Sequence, residues 1–217
     1  MTPCFASGSD DEEQEAVDSM SEQIPLQQLQ VPLGVHEFQW FAQHAVHFYD
    51  SIAMFYQRVS RICTKASCPI MNAGPKYHYH WKQSTTGKLV QLNAPLYCHH
   101  LFQWILEQFN DRLVFPLPDS PTENSVPMDS FAPVFRQVIS SIFRRLFRVF
   151  AHLYYAHFTR LQSIGMAKPL NQRFLHFASF ALYYHLIPPA ELMPLRPLLC
   201  LRLPRSLTEV LHKRVTS

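Results

Sequence analysis

Two pairs of residues that commonly bind metal ions lie far apart in this sequence. Cys63 and Cys68 occur in the segment Arg-Ile-Cys-Thr-Lys-Ala-Ser-Cys-Pro, and His152 and His157 occur in Phe-Ala-His-Leu-Tyr-Tyr-Ala-His-Phe. Two thiolates and two imidazoles complete the tetrahedral shell of a Zn²⁺ ion and leave no open coordination position. Because such a site stabilises a fold and performs no reaction, the pattern favours a metal-stabilised, non-catalytic domain.

The spacing within each pair leaves a simpler interpretation open. Four residues separate the two members of each pair, which is at the wide end of common zinc spacings. On a straight helix, positions five apart are rotated by about 140°. His152 and His157 can therefore face one point only where the helix ends, bends or bulges. Two core histidines and two buried free cysteines are the alternative that the residue types alone allow.

Composition argues against several classes of protein. The chain has 217 residues, 47% of them hydrophobic, which suffices for one domain with one core. It contains neither a Gly-Lys-Ser/Thr nor a Gly-x-Gly-x-x-Gly phosphate loop. It has no run of 18 apolar residues and no charged-then-apolar start, so we expect no transmembrane helix and no secretion signal. Five cysteines, an odd number, favour free thiols or metal ligands over disulfides.

Charge is distributed unevenly along the chain. Residues 1–57 contain nine acidic and no basic residues, which gives −9, whereas the remainder contains 19 basic and seven acidic residues, which gives +12. A basic body predicts an anionic partner, and the acidic leader can shield that surface when no partner is bound. Residues 1–30 are predicted to be disordered, because they cannot bury enough apolar surface to offset ordering.

The elements that carry the possible metal ligands are predicted to be helices. From Val35, apolar residues recur at three- and four-residue steps for about six turns, which predicts a helix that ends before the Cys63–Cys68 loop. A second helix is predicted over 94–109. A Pro- and Ser-rich loop follows at 115–130. One long helix over 130–163 then carries both histidines.

The fold class that these elements predict is all-α with a minor β-hairpin. The alternating segment 77–81 and the segment 88–92 form the hairpin. Its residues His78 and His80, like His99 and His100, are interpreted as surface residues and not as a second metal site. The other predictions are a helix over 171–186 capped by Asn171, a short helix from Pro188, irregular chain around Pro194 and Pro197, and a last helical turn or two over 206–213.

A basic helical segment is the second feature that could carry function. In Ser-Ile-Phe-Arg-Arg-Leu-Phe-Arg, Arg144 and Arg148 lie one turn apart and Arg145 is adjacent, so their guanidinium groups converge on one side. Guanidinium forks match phosphate oxygens in a bidentate manner, which indicates a phosphopeptide site. A solvated helix face is the alternative, and it is the more common origin of a charge run.

These pieces together resemble the Mob (Mps-one-binder) family of kinase co-activators. Order and spacing fit the family from about Val31 to Leu195. The matching segments are Cys63-Thr-Lys-Ala-Ser-Cys68-Pro-Ile-Met-Asn-Ala-Gly-Pro-Lys-Tyr77, Ala94-Pro-Leu-Tyr97, Val114-Phe-Pro116, Arg144-Arg-Leu-Phe-Arg148-Val-Phe-Ala-His152, Ala156-His157-Phe158, Leu170-Asn171, His176-Phe177 and Leu186-Ile-Pro-Pro-Ala-Glu-Leu192.

The resemblance implies a Mob-type helical bundle with a small β-hairpin, stabilised by one structural zinc ion. It assigns the zinc ligands to Cys63, Cys68, His152 and His157. It assigns the binding of phosphothreonine segments from upstream Ste20-like kinases to Arg144, Arg145 and Arg148. The expected domains are a disordered acidic segment 1–30, a Mob-like domain 31–200 and a C-terminal tail 201–217.

The chain departs from the family on the surface that the resemblance assigns to NDR/LATS-type AGC kinases. Val35 and Gln39 stand where the family usually has Glu, and His47 stands where many members have Asp. A basic kinase segment would therefore lose charge-assisted contacts. The kinase-binding candidates that stay on this surface are Glu37, Trp40, His47 and Asp50.

The function that the resemblance implies is a non-enzymatic kinase co-activator, monomeric and cytoplasmic, with the nucleus as a second compartment. One alternative is a divergent phosphopeptide-binding scaffold that does not activate NDR/LATS kinases. A zinc hydrolase is disfavoured, because His-x₄-His lacks the adjacent Glu of His-Glu-x-x-His. A nucleic-acid binder is disfavoured because no nucleic-acid motif is present. We expect no membrane insertion.

Overall fold

The computed structural model describes residues 26–83, 85–115, 128–204 and 207–209, and this part of the chain is mostly helical. A short 3₁₀ helix at Leu26–Leu29 precedes the first long helix, α1, at Glu37–Val59. The His36 side chain caps α1 by accepting the backbone N–H of Phe38. The predicted six-turn helix is therefore confirmed.

The buried side of α1 follows the predicted apolar pattern. Its fully or almost fully buried residues recur at steps of three or four: Phe41, Ala45, Phe48, Ile52, Phe55 and Val59. Phe48 packs edge-on against Phe143 and Phe177, with ring centroids 5.7 and 5.3 Å apart. These contacts tie α1 to two later helices and place the core between the three.

The hairpin and the second helix lie where the sequence predicts them. Strands β1 (His80–Lys82) and β2 (Leu89–Gln91) pair antiparallel, with Trp81 opposite Val90. Helix α2 follows at Ala94–Asn110 and begins at Asn93, whose side chain accepts the N–H of Leu96 at 3.0 Å.

The prediction of a single helix over 130–163 is wrong, because this segment forms two helices. Helix α3 runs over Met128–Ala156 and a short helix α4 over Phe158–Ser163. His157 lies between them with φ −133° and ψ 6°, outside helical geometry. The predicted loop at 115–130 falls mainly on residues 116–127, which lie outside the described part of the chain, as does the Asp119–Asn124 segment.

Helix α5 (Ala167–Tyr183) begins four residues before the predicted start and ends three residues before the predicted end. Asn171 is not its N-cap. The Asn171 side chain lies inside the helix and accepts a hydrogen bond from the Tyr154 hydroxyl at 2.8 Å. The prediction failed because an Asn side chain can satisfy a distant hydroxyl as readily as a helix end. Phe177 and Phe180 of α5 stack on Phe143 of α3 in the aromatic core.

The C-terminal region is more regular than predicted. Instead of irregular chain around Pro194 and Pro197, a 3₁₀ helix at Pro189–Leu195 leads into α6 at Arg196–Arg202. Pro197 fits the first turn of α6, where a missing N–H costs nothing. Of the predicted helical turns over 206–213, residues 207–209 are helical and the others lie outside the described part.

Packing extends beyond the predicted domain limits of 31 and 200. Leu29 is completely buried, and Leu203 and Leu207 are almost completely buried against the core. The core therefore draws on residues that the sequence assigned to the leader and to the tail. Among the described helices, none is long and apolar enough to cross a membrane.

Candidate metal centre and basic pocket

The two predicted ligand pairs come together in one buried cluster. The cysteines lie in the segment after α1, while His152 is on the last turn of α3 and His157 follows that helix. The ligand atoms of Cys63, Cys68, His152 and His157 all lie within 4.8 Å of one another, and all four residues are buried. This is the one group in the described part of the chain where at least three such side chains can hold a metal ion.

The sulfur-to-nitrogen distances across the cluster fit a metal ion with tetrahedral coordination. Cys63 Sγ lies 3.6 Å from His152 Nε2, and Cys68 Sγ lies 3.6 Å from His157 Nε2. With Zn–S bonds of about 2.3 Å and Zn–N bonds of about 2.0–2.1 Å, the sulfur-to-nitrogen edge of a tetrahedron is about 3.6 Å. The donor set and its geometry therefore match a four-coordinate zinc site with no position left for water.

The break after α3 explains how histidines five positions apart can share one point. His152 is helical, whereas His157 leaves the helix and turns its ring toward His152, with ring centroids 5.1 Å apart. The N–H of His157 still bonds to the carbonyl of Leu153 at 3.0 Å, so the chain is interrupted for only one residue. The sequence predicted that such an end or bend was necessary but not where it would fall.

A second layer of contacts orients one of the histidines. His152 Nδ1 lies 2.9 Å from the carbonyl oxygen of Asn72. Because a carbonyl can only accept, Nδ1 carries the proton and Nε2 is left as the metal-binding nitrogen. Two residues further on, Gly74 adopts φ +87°, and a Cβ there would lie 3.1 Å from the ring of Tyr155. Glycine thus lets the Asn72 loop lie close to the end of α3.

Burial sets the protonation of these groups in the absence of a cation. Burial, with a contribution from Cys68, raises the pKa of the Cys63 thiol to about 12. Burial, with a contribution from His152, lowers the pKa of His157 to about 4. Burial also lowers the pKa of His152. Neutral imidazoles are already in the metal-binding form, and a divalent ion would supply the charge that deprotonates the thiols.

The three predicted arginines converge on an open pocket of about 360 Å³ between α3 and the hairpin. Its lining contains several basic or titratable side chains and no carboxylate: His78, Tyr79, His80, Lys82, Leu89, Ser141, Arg144, Arg145 and Arg148. The three arginines therefore line one pocket, and their role in phosphopeptide binding stays a prediction. An open, carboxylate-free lining of this kind suits an anionic ligand.

Arg145 is held between two indole rings. Its guanidinium carbon lies 4.4 Å from the ring centroid of Trp81 on β1 and 4.4 Å from that of Trp104 on α2. Both distances are within the range of cation–π attraction. The sandwich fixes Arg145 and joins the hairpin, α2 and α3 at the pocket.

Arg148 and Arg144 share one internal counter-ion. Glu191, on the 3₁₀ helix before α6, lies 3.4 Å from Arg148 Nη2 and 3.6 Å from Arg144 Nη1. Arg148 also donates to the Tyr97 hydroxyl at 3.1 Å, while its buried Nε has no hydrogen-bond partner among the described residues. These contacts position both guanidinium groups before any ligand arrives.

Neutralising Glu191 should lower the stability of the fold and strengthen the binding of anions. We expect Glu191→Gln to lower the free energy of unfolding by about 1 kcal/mol, because half-buried Arg148 loses its counter-charge. The same change should raise the affinity for an anionic peptide about threefold, since it removes the negative charge nearest the pocket. Thermal denaturation and peptide titration at two salt concentrations measure both effects, and the gain should shrink at high salt.

The control for this change is Glu107→Gln, which removes an exposed acid on α2 that does not line the pocket. That variant should alter neither quantity beyond the non-specific effect of net charge. Weaker peptide binding by Glu191→Gln would contradict the prediction and would mean that Glu191 is needed to orient the arginines.

The four predicted kinase-binding residues lie along α1, and three of them already make polar contacts within the chain. Glu37 accepts from Arg136 of α3 at 2.8 Å. Arg173 of α5 donates to His47 Nε2. Trp40 is half-buried, and its indole N–H donates to the carbonyl of Leu29 at 3.3 Å. Asp50 is exposed. Their role in kinase binding stays a prediction.

A histidine cluster extends this surface between α1 and α5. The ring of His176 lies 5.7 Å from that of His44 and 6.0 Å from that of His47, measured between centroids. Burial first, and then His44, His47 and Arg173, lower the pKa of His176 to about 4 from its ordinary 6.5. The folded protein therefore resists protonation of His176.

This cluster should make stability depend on pH. Between pH 6.5 and about 4 the unfolded chain binds a proton on His176 that the folded chain rejects. Stability is thus full above about pH 6.5 and declines as the pH falls toward 4. We expect His176 to contribute about 2 kcal/mol to that decline, allowing for its partial exposure. Urea unfolding at pH 7, 5.5 and 4.5 measures it.

His176→Gln should flatten the pH dependence, because glutamine does not titrate. His99→Gln, which changes an exposed histidine of α2 outside the cluster, is the matched control and should leave the slope unchanged. Equal slopes for wild type and His176→Gln would show that the decline arises elsewhere.

Comparison with known sequences identifies the class of protein that this fold and cluster define. Residues 19–195 match the model of the Mob1/phocein family, and the chain belongs to that family. It is 36% identical over 170 residues to MOB kinase activator-like 1 homolog A of Dictyostelium discoideum, covering 78% of this chain and 76% of that protein. The predicted resemblance and the predicted fold class are thus confirmed.

Two further relatives show how widely the similarity extends. The maintenance of ploidy protein mob1 of Schizosaccharomyces pombe is 36% identical over 174 residues, 80% of this chain and 79% of the relative. MOB kinase activator 3A of Mus musculus is 38% identical over 169 residues, 77% of this chain and 74% of the relative.

Sequence reasoning missed several residues that build the pocket. His78 and His80 are exposed, as predicted, but they also line the pocket, and so does Lys82, which follows the predicted segment 77–81. Trp81 and Trp104 hold Arg145, although the sequence placed them only on a strand and a helix. The alternating segment 77–81 was the available signal, but which side of the hairpin would meet α3 depends on packing that the sequence does not reveal.

Proposed function

We propose that this chain is a non-enzymatic regulator of a protein kinase, stabilised by a structural Zn²⁺ ion and binding phosphothreonine peptides in its basic pocket. The observation that carries the proposal is the convergence of Arg144, Arg145 and Arg148 on one open pocket with no carboxylate in its lining. Two of the relatives described above bear the words kinase activator in their names. The proposal extends that role to this chain.

The zinc ion would act as a structural clamp. It would join the segment after α1 to the end of α3 through Cys63, Cys68, His152 and His157, which can hold a metal ion. A buried four-ligand site leaves no coordination position for a substrate, which supports an adaptor over a zinc hydrolase. Because His152 belongs to the helix that carries the arginines, the ion would also stabilise the pocket indirectly.

The arginines suit a phosphate better than a carboxylate. A phosphoryl group carries close to two negative charges and three acceptor oxygens at neutral pH, and several guanidinium forks can share these oxygens. Arg145 and Arg148 are held in place by rings and hydrogen bonds before binding. The entropic cost of ordering them is therefore already met in the folded chain.

A peptide titration tests this function. We would measure binding of a phosphothreonine peptide and of its unphosphorylated twin to the zinc-loaded full chain, after confirming one zinc per chain. The expected result is selectivity of at least about 100-fold for the phosphopeptide, since two or more charge-assisted contacts depend on the phosphate. Equal binding of the two peptides would reject the phosphopeptide function and leave the structural zinc assignment standing.

The kinase that would be regulated is proposed to be of the NDR/LATS type, docked on the α1 surface around Trp40. The alternative is a phosphopeptide-binding scaffold that does not activate such kinases. A specific observation favours the alternative: Glu37 is paired with Arg136, and His47 lies against Arg173, so this surface presents little free negative charge. We propose that the chain acts as a monomer in the cytoplasm, with the nucleus as a second compartment.

A pull-down experiment distinguishes the kinase co-activator from the phosphopeptide-binding scaffold. A basic N-terminal segment of an NDR/LATS-type kinase would be presented to wild-type protein and to Arg173→Glu, which restores negative charge beside His47. Capture by wild type supports the co-activator. Capture by Arg173→Glu alone supports the scaffold, because it shows that this surface has lost the charge that a basic segment needs.

A further inference from the structure

The basic pocket has a second wall that presents nitrogen donors. Opposite the arginines of α3, the hairpin contributes His78, His80 and Lys82, three exposed residues at alternating positions. All three line the pocket together with the arginines, while Tyr79 and Trp81 between them are half-buried against Arg148 and Arg145. We propose that this wall is a second anion subsite, so that the preferred peptide carries a further negative group near its phosphorylated residue.

The side chains of this wall are available for a ligand. Lys82 and His78 form no salt bridge and no side-chain hydrogen bond with the residues that the structure describes, in contrast to the arginines of α3. Among the described residues, the acid that pairs with the arginines is Glu191, which lies on their side of the pocket and does not line it. A ligand with one phosphate would thus leave the ammonium charge of Lys82 without a counter-charge.

The size of the pocket sets the spacing of the two anionic groups. A volume of about 360 Å³ is that of a cube about 7 Å on each edge. An extended peptide advances about 3.3 Å per residue, so a group two residues from the phosphothreonine reaches the far wall. The second group can be a phosphate or a carboxylate, because both accept hydrogen bonds from ammonium and imidazole donors.

The two walls are held at a fixed separation. Trp81 on β1 stacks on Arg145, and Arg145 also stacks on Trp104 of α2. Trp81 in addition packs edge-on against Tyr97, the residue that receives the hydrogen bond from Arg148. The hairpin is therefore anchored to the arginine side by ring contacts, and a ligand that bridges the walls meets a prepared site and does not have to order a loose strand.

The test uses peptides of one sequence that differ in a single position. Each carries phosphothreonine, and the residue two positions before or two positions after it is Ser, Asp or phosphoserine. Binding to the full-length zinc-loaded chain is followed by fluorescence anisotropy. For the favoured side, we expect phosphoserine to tighten binding about tenfold and Asp about threefold relative to Ser, because charge-assisted hydrogen bonds grow stronger with acceptor charge. Equal tightening by Asp and phosphoserine identifies a carboxylate as sufficient.

The variant His78→Gln/Lys82→Gln removes the Lys82 charge and the His78 ring and should abolish that tightening, so that the Ser, Asp and phosphoserine peptides bind with equal affinity. Its matched control is Lys76→Gln/His99→Gln, which removes one lysine and one histidine that are exposed but do not line the pocket. Tightening that survives in His78→Gln/Lys82→Gln, or no tightening in wild type, overturns the subsite.

This inference rests on the phosphopeptide function proposed above, and the two can fail separately. If the Ser peptide binds phospho-selectively but a second charge adds nothing, only the subsite is rejected. If even the doubly phosphorylated peptide binds no better than an unphosphorylated one, both are rejected. Tight binding of single-stranded RNA in place of every peptide would also reject both, and would assign the pocket to a nucleic-acid backbone.

Discussion

Replacing Cys68 by serine should remove the bound metal and lower the melting temperature of the chain by about 10 °C or more. Serine has nearly the same shape as cysteine but does not supply a thiolate, so the tetrahedral shell loses one ligand. The remaining buried Cys63, His152 and His157 would then lose the metal ion that would join them. Chelation of the metal from the wild-type chain should have the same effect.

The size of this effect follows from linkage. Structural zinc contributes about 10–16 kcal/mol in isolated zinc fingers, but this domain also has an extensive core, so only part of that figure is at stake. A loss of about 4 kcal/mol is a moderate expectation. For a chain of this length, each 1 kcal/mol shifts the melting temperature by about 2–4 °C. Metal content by mass spectrometry and thermal denaturation by circular dichroism would be measured on the same samples.

The control is Cys98→Ala, which changes a completely buried cysteine of α2 that is not one of the four clustered residues. It should retain one metal ion per chain and lose only the packing energy of one sulfur atom, about 1–2 kcal/mol. If Cys68→Ser kept its metal and its melting temperature, the cluster would be four ordinary buried side chains, the alternative that the sequence left open.

The metal site shows how far sequence reasoning reaches and where it stops. The identities of Cys63, Cys68, His152 and His157 follow from residue type and from the family resemblance, and the structure brings all four together. The bend that makes this possible, at His157, could not be placed, because nothing in Tyr-Tyr-Ala-His-Phe interrupts a helix by propensity. Tertiary packing decides it, and the helical pattern continues through the break.

The basic pocket could be predicted from the sequence only in part. Periodicity on one helix predicted that three guanidinium groups would converge, because a helix fixes relative directions over one turn. Glu191 and the hairpin residues come from distant parts of the chain, and their approach to α3 depends on how the elements pack. The prediction that Asn171 caps a helix was wrong for the same reason, because its hydrogen-bond partner Tyr154 belongs to another helix. Local signals thus predicted the elements, and contacts between elements supplied the site.

Replacing Arg144 and Arg145 together by glutamine should weaken phosphothreonine-peptide binding by at least about 100-fold. Each charge-assisted hydrogen bond to a phosphate contributes about 1.5–3 kcal/mol, so losing two removes about 3–6 kcal/mol, and tenfold in affinity corresponds to about 1.4 kcal/mol. This pair is preferable to a variant of Arg148, because Arg148 is more buried than Arg144, lies closer to their shared partner Glu191 and also bonds to Tyr97 inside the protein.

The fold should survive this change with a modest loss of stability. Arg145 gives up two cation–π contacts, each contributing about 1 kcal/mol at a partly buried position, while the metal cluster and the aromatic core are not touched. Metal content should stay at one ion per chain, and the melting temperature should fall by about 4–8 °C. A variant that binds no peptide but keeps its metal therefore reports on the pocket and not on unfolding.

The matched control is Arg58→Gln/Arg160→Gln, which removes two exposed arginines on α1 and α4 that do not line the pocket. It lowers the net charge by the same amount, so it isolates the contribution of position from that of overall charge. Binding should fall no more than about threefold, and that loss should vanish at high salt. If both double variants weakened binding equally, the peptide would be attracted by the positive charge of the whole basic body. The pocket would then not bind the phosphate specifically.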